Sequence, residues 1–176
     1  LGNAQTAPFD GWTLVTSPDS LTGGTNRFED WHDGNSQQNA NGVSVTVNDN
    51  DAAGTTWIEL NNASANVQTL GIERSLTTTA GQLYTLDLEV AGRNGFSALY
   101  TRFAVYVDNQ LVGWFAPTSS MNGPDWQTVR VSFMGTGLNQ NIRIVTDALA
   151  FNVNGRGVAI DDIVLTAQPG AIAGNA

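Results

Sequence analysis

Hydrophobic and polar residues alternate along much of this chain with a period of two. Tyr84, Leu86, Leu88 and Val90 share one parity, while Thr85, Asp87 and Glu89 share the other. Phe103, Val105 and Val107 stand opposite Arg102 and Ala104. Val129, Val131 and Phe133 stand opposite Arg130 and Ser132, and Ile142 and Ile144 flank Arg143. Successive side chains of a strand point to opposite faces, so each pattern is that of a half-buried strand. Strands are predicted at 83–91, 101–107, 128–134 and 142–146. Weaker patterns predict others at 12–16, 43–47, 56–60, 67–76, 111–115 and 157–166.

Turn residues punctuate these segments at Thr79-Ala80-Gly81, Asp108-Asn109 and Thr136-Gly137. Asp108-Asn109 between Tyr106-Val107 and Leu111-Val112 reads as a tight hairpin, because Asn tolerates positive φ. No stretch carries a helical period, and abundant Thr, Asn and Gly favour strands and loops. The expectation is an all-β chain of about ten strands, an antiparallel β-sandwich of jelly-roll type. Residues 1–8 and 167–176 lack periodicity and read as linkers around a single domain at 9–166. The chain reads as one module of a longer protein, with flanking domains and no need to oligomerise.

In the last predicted strand, Val158 and Ile160 set one parity, and Ile163 and Leu165 set the other. Asp161 and Asp162 lie where the parity switches. A β-bulge there reconciles the two halves and aims a carboxylate sideways.

Charge is distributed unevenly along the chain. The 176 residues carry sixteen acids and seven bases, all Arg, for a net charge of −9. Of this, −7 falls in residues 1–70 (eight acids, one base) and −2 in residues 71–176 (eight acids, six bases). Such a chain repels a phosphate backbone, which excludes nucleic acid as partner. No apolar run reaches the ~18 residues of a membrane span, so membrane insertion is not expected. Zero Cys and a single His exclude thiol catalysis, disulfides and multi-His or Cys-ligated metal sites.

The acids cluster. Phe28-Glu29-Asp30-Trp31-His32-Asp33-Gly34 holds three carboxylates beside the only His, and Asn48-Asp49-Asn50-Asp51 holds four successive oxygen-bearing side chains. Crowded carboxylates need a cation or hydrogen bonds to stay ionised, and hard oxygen ligands suit Ca²⁺. The second cluster is not an EF-hand, since Ala53 and Leu60 occupy the fifth and twelfth positions counted from Asp49. The alternative for both is a solvated polar loop. Glu59, between Ile58 and Leu60, faces water or a polar cleft. Arg93, between Gly92 and Asn94, follows a strand bearing Asp87 and Glu89 and is placed to pair bidentately with a carboxylate of the protein or of a ligand.

No catalytic signature is present: no G-x-S-x-G elbow, no H-E-x-x-H, no phosphate-cradling loop. The chain is therefore expected not to be an enzyme. A glycoside hydrolase using two of Glu59, Asp87 and Glu89 is the remaining enzymatic alternative.

Several segments, taken in order, resemble a known family. They are Gly11-Trp12-Thr13, Phe28-Glu29-x-Trp31-x-Asp33-Gly34, Trp57-Ile58-Glu59-Leu60-Asn61, Ala80-Gly81-Gln82-x-Tyr84-Thr85, Ala91-Gly92-Arg93 and Gly157-x-Ala159-Ile160-Asp161-Asp162-Ile163-x-Leu165. Across residues 9–166 the chain resembles the galactose-binding-like β-sandwich modules of giant bacterial repeats-in-toxin adhesins, and is most similar to their calcium-dependent peptide-binding domains. Residues 36–54 read as an insertion relative to that pattern. The resemblance implies a secreted cell-adhesion module at the bacterial surface, active in biofilms, that captures short peptides with a free C-terminus through a Ca²⁺-assisted pocket. It implies Asp33, Glu59 and Arg93 as ligand-binding residues, beside which Trp31, Trp57 or Trp114 would supply an apolar wall. It implies Asp33 and Glu59, and Asp161 with Glu29, as metal ligands; the acidic cluster itself adds Asp49 and Asp51. Sugar-binding relatives make a lectin-like carbohydrate-binding module the alternative, and a structural spacer is a further one.

If Ca²⁺ is bound, its removal leaves carboxylates near 29–33 and 49–51 repelling one another, and native-state ligation no longer adds stability. A chelator is expected to lower the melting temperature in differential scanning calorimetry; an unchanged curve overturns the calcium reading.

Overall fold

A computed structural model of the chain describes residues 3–5, 11–16, 28–39, 41–48, 56–61, 70–118, 126–146 and 157–169. Thirteen strands and one 3₁₀ turn (Ala98–Tyr100) account for most of them. In chain order the strands are β1 (Asn3–Gln5), β2 (Thr13–Thr16), β3 (Phe28–His32), β4 (Ser36–Gln38), β5 (Ser44–Thr46), β6 (Thr56–Asn61) and β7 (Leu70–Thr77). They continue with β8 (Leu83–Ala91), β9 (Phe103–Val107), β10 (Gln110–Phe115), β11 (Gln127–Met134), β12 (Asn139–Thr146) and β13 (Gly157–Ala167).

Two antiparallel sheets stack as a sandwich. One has six strands in the order β1-β3-β6-β13-β8-β11, and the other five in the order β10-β9-β12-β7-β2. The β4–β5 hairpin forms a separate two-stranded sheet. The period-two residues meet between the large sheets. Leu60, Leu86, Leu88, Val90, Val158 and Ile160 of the first pack against Ile72, Phe103, Val105, Ile142 and Ile144 of the second. Each such side chain, fully buried, contributes about 1.5–3 kcal/mol of transfer free energy. Phe103 and Phe115 stack with ring centroids 5.2 Å apart, and Tyr84 and Phe133 at 5.6 Å.

All ten predicted strands are present, with ends shifted by one to three residues. Three others escaped the pattern. β3 is short and carries three charged or ionisable residues; β4 and β1 have three residues each, too few for a period to show. Asn3–Gln5, inside the segment read as a linker, runs as β1 along β3.

The predicted tight turn is present. Asp108 and Asn109 adopt φ of 49° and 66°, the left-handed pair that a two-residue hairpin needs. The predicted bulge in β13 is also present: pairing with β8 shifts register between Asp161 and Val164, and Asp162 takes φ 44°. Asp161 Oδ1 accepts the Asp162 backbone N–H at 2.9 Å, which steadies that unusual conformation.

Gly71 marks the tightest strand contact. A Cβ there would lie 2.3 Å from the Ile144 carbonyl oxygen and 2.5 Å from Val145 Cγ1 on β12. Backbone cannot yield that far without parting β7 from β12. Gly71→Ala is therefore expected to cost about 1–3 kcal/mol by overpacking, read as a lower urea midpoint at unchanged m-value.

Candidate functional site

The six-stranded sheet buries residues on both of its faces. On β6, Ile58 and Leu60 point into the sandwich, so Trp57 and Glu59 point out. Trp31 on β3 lies directly opposite Trp57, and Glu29 opposite Glu59. Ala159 on β13 faces Glu59, and Ala91 on β8 faces Ala159. The outer face thus carries two indoles beside two small residues. Trp31, Val47, Trp57, Ala91 and Ala159 form a second buried cluster there, distinct from the main core, with Trp126 packed against it. Trp126 meets Trp57 edge to face at 5.8 Å and donates its indole N–H to the Asn48 carbonyl at 3.3 Å.

Glu59 sits in this cluster at 0% exposure. Its carboxylate accepts from Arg93 Nε at 2.9 Å and Arg93 Nη2 at 3.1 Å, a bidentate pair. Gln37 Nε2 of the β4–β5 hairpin adds a third bond, to Oε2 at 3.2 Å. The Arg93 guanidinium also lies 5.9 Å from the centre of the Trp31 ring, a cation–π contact. A buried carboxylate is tolerable only when paired and hydrogen-bonded, and these bonds meet that need. Gln37 and Val47, at the base of the hairpin, are both buried on this face.

Three polar atoms in the cluster are left over. The indole N–H groups of Trp31 and Trp57, and Gln37 Oε1, are buried with no hydrogen-bond partner among the described residues. Leaving such a group unsatisfied costs about 1–3 kcal/mol each.

Of the sequence-derived ligand residues, the structure gathers Trp31, Glu59 and Arg93. Asp33 stands apart: it is exposed, in the turn after β3. Trp31 is not an open wall but is 2% exposed within a core. Arg93 meets a carboxylate as expected, and that carboxylate is the protein's own. Glu59 was expected to face water or a polar cleft; it is enclosed instead, because the hairpin at 36–46 folds over it. Among the proposed metal ligands, Asp49, Asp51 and the Glu29 side chain lie outside the described residues. Asp161 is half-buried at the bulge, opposite Glu89. Among the described residues, no three acids, His or Cys come together as a metal-binding group.

Sequence reading missed Gln37 and Val47 as parts of this site. Trp57 was legible as the neighbour of Glu59 with matching parity, two residues away. Gln37 carried no signal, since its approach depends on how the hairpin folds back.

Farther along the same face, Arg130 grips Asp87 through two hydrogen bonds, at 2.5 and 2.7 Å. The Arg130 guanidinium holds the Asp87 carboxyl below the usual carboxylate range, chiefly through those bonds. Glu89 accepts the Thr128 hydroxyl. On β3, His32 Nδ1 lies 3.0 Å from Thr56 Oγ1 across the strand pair.

No protein-family model matches the chain, and no curated protein sequence matches it either. Solved structures share its shape. A cyclase from Fischerella sp. in the apo form overlays with a TM-score of 0.60 at 17% identity, covering 96% of this chain and 88% of that one. A Stig cyclase from Fischerella sp. TAU, in complex with (3Z)-3-(1-methyl-2-pyrrolidinylidene)-3H-indole, gives 0.60 at 18%, covering 96% and 89%. A family 35 carbohydrate-binding module from Paenibacillus barcinonensis gives 0.48 at 17%, covering 96% and 99%. The chain is thus an antiparallel β-sandwich with the overall shape of those cyclases. At these identities the likeness is one of fold.

The Glu59–Arg93 pair generates a test by double-mutant cycle. Arg93→Leu leaves Glu59 buried without its partner and is expected to cost about 3–5 kcal/mol. Adding Glu59→Leu should recover a large part of that loss in urea unfolding. A double-variant loss equal to the sum of the Arg93→Leu and Glu59→Leu losses would mean that the two side chains are not coupled.

Proposed function

We propose that the chain is a non-enzymatic, lectin-like carbohydrate-binding module whose ligand enters the Trp31–Trp57–Gln37 patch beneath the β4–β5 hairpin. The observation that carries this reading is the set of three buried, unpartnered polar atoms: two N–H donors and one carbonyl acceptor. A hydroxyl group donates and accepts, so a vicinal pair of hydroxyls matches all three. A carboxylate only accepts and leaves Gln37 Oε1 unmet.

Magnitudes favour the sugar over peptide C-terminus capture. A terminal carboxylate that takes the Nε–Nη2 edge of Arg93 has to displace Glu59. That strands a fully buried carboxylate, at about 3–5 kcal/mol, more than a typical gain of about 1.5–3 kcal/mol for a hydrogen bond to a charged group. The non-enzymatic reading is supported by the carboxylates themselves. Asp87, a hydrolase candidate, is held ionised by Arg130 and is poorly suited to donate a proton at neutral pH. Glu59 is locked by three bonds.

Calcium belongs to this proposal as structural ions of the acidic segments, with Asp33, Asp49, Asp51, Glu29 and Asp161 as candidate ligands; Glu59 leaves that set because Arg93 pairs with it. A secreted adhesin is the setting this reading suits, with the module displayed on the bacterial surface.

The test is isothermal titration of the chain against neutral oligosaccharides and against peptides with free or amidated C-termini. Sugar binding is expected, weakened about tenfold by Trp57→Phe, which keeps an aromatic ring and removes the N–H; tenfold corresponds to one lost hydrogen bond of about 1.4 kcal/mol. Binding of free-ended peptides with no sugar binding overturns the proposal in favour of peptide capture.

A further inference from the structure

The outer face of the five-stranded sheet carries a second feature, remote from the Trp31–Trp57 patch. β10 pairs with β9 through a register shift between Leu111 and Gly113. Leu111 stands opposite Tyr106, and Trp114 opposite Ala104. Tyr106 and Ala104 share a parity on β9, opposite to the core residues Phe103, Val105 and Val107. The bulge therefore brings Leu111 and Trp114, three residues apart, onto one face. A regular strand would send them to opposite faces. Both stay in solvent, at 57% and 50% exposure. Trp114 is the sole exposed aromatic among the described residues' large hydrophobics.

Guanidinium groups hold the two rings. Arg102 lies 5.7 Å from the Trp114 ring centre and Arg143 lies 5.7 Å from that of Tyr106. Arg143 Nη1 donates to Asn109 Oδ1 at 3.4 Å, and its buried Nε has no hydrogen-bond partner among the described residues. Across the sheet, Arg143 faces Glu73 on β7, whose Oε2 accepts from Asn141 Nδ2 at 3.3 Å.

We infer that this face is a second glycan platform, on which a neutral polysaccharide chain stacks on Trp114 and Tyr106. An aromatic face is electron-rich and attracts the electropositive C–H side of a pyranose ring. A sugar hydroxyl between Arg143 and Glu73 accepts from one and donates to the other, a complementarity that an acceptor-only anion lacks. Charge selects the neutral polymer. Arg102 and Arg143 are offset by Glu73 and by Asp108 in the adjoining turn, so the platform is near neutral on a chain of net −9. A polyanion gains nothing here and is repelled by the rest of the molecule. Two sites on opposite sheets let one module bridge two strands of a polymer, or hold one long strand with raised effective concentration.

This inference stands apart from the first site, and its test separates the two. Affinity gel electrophoresis through soluble β-glucan, galactomannan and xylan measures retardation of the native chain, Trp114→Ala, Arg143→Gln and Trp57→Phe. Trp114→Ala is expected to lose at least tenfold in affinity for one of these polymers, and Arg143→Gln severalfold. Melting temperatures should hold, because Trp114 is half in solvent. Calorimetry with the matching oligosaccharide should give two sites per native chain and one per Trp114→Ala chain. Full retardation of Trp114→Ala in every polymer the native chain binds overturns the platform and leaves the first site standing. Loss with Trp114→Ala but none with Trp57→Phe supports the platform and overturns the first site. Retardation confined to an anionic polymer such as alginate overturns the neutral-glycan assignment.

Discussion

A carboxylate with no solvent exposure constrains the outer face of the six-stranded sheet. Glu59 cannot hydrate, so its charge has to be met inside the protein. Arg93 meets it bidentately, Gln37 adds a third bond, and each brings a segment of chain with it. Arg93 ties down the end of β8 and lays its guanidinium toward Trp31. Gln37 anchors the hairpin that shuts the face from water. The indoles of Trp31 and Trp57 are buried in the same cluster, Trp31 against Arg93 and Trp57 against Trp126.

That constraint explains why this sandwich has two cores rather than one. The inter-sheet core needs only apolar residues at alternate positions, and β6, β8 and β13 provide them. The outer cluster is mixed: a salt bridge, two tryptophans and an amide beside two alanines. Mixed cores are sensitive to unsatisfied polar groups, because the low local dielectric that strengthens a paired bond also penalises an unpaired one. The leftover N–H and C=O groups are therefore energetic defects within that cluster.

The sheets treat their outer faces differently. The six-stranded sheet covers its tryptophans with a hairpin; the five-stranded sheet leaves Trp114 in water and steadies it with Arg102. A lone β-bulge in β10 makes the second arrangement possible by turning Leu111 and Trp114 the same way. In each case an arginine lies against an aromatic ring, and on an acidic chain without lysine such contacts give guanidinium groups a role beyond charge balance.

Much of the fold could be read without coordinates. Strand positions follow from alternation, because a strand has only two faces and one of them is dry. The Asp108-Asn109 hairpin follows from the φ its residues tolerate, and the β13 bulge from a parity switch at Asp161-Asp162. Trp31, Glu59 and Arg93 could be singled out from their residue types and neighbours. Their mutual arrangement was not. That Arg93 meets Glu59 rather than a ligand, and that Trp31 is enclosed, depends on register between β3, β6, β13 and β8 and on the course of the β4–β5 hairpin. Periodicity is a local property that tells a residue which face it occupies. Which other residues share that face is decided by strand pairing between segments tens of residues apart, and only the tertiary structure sets that pairing.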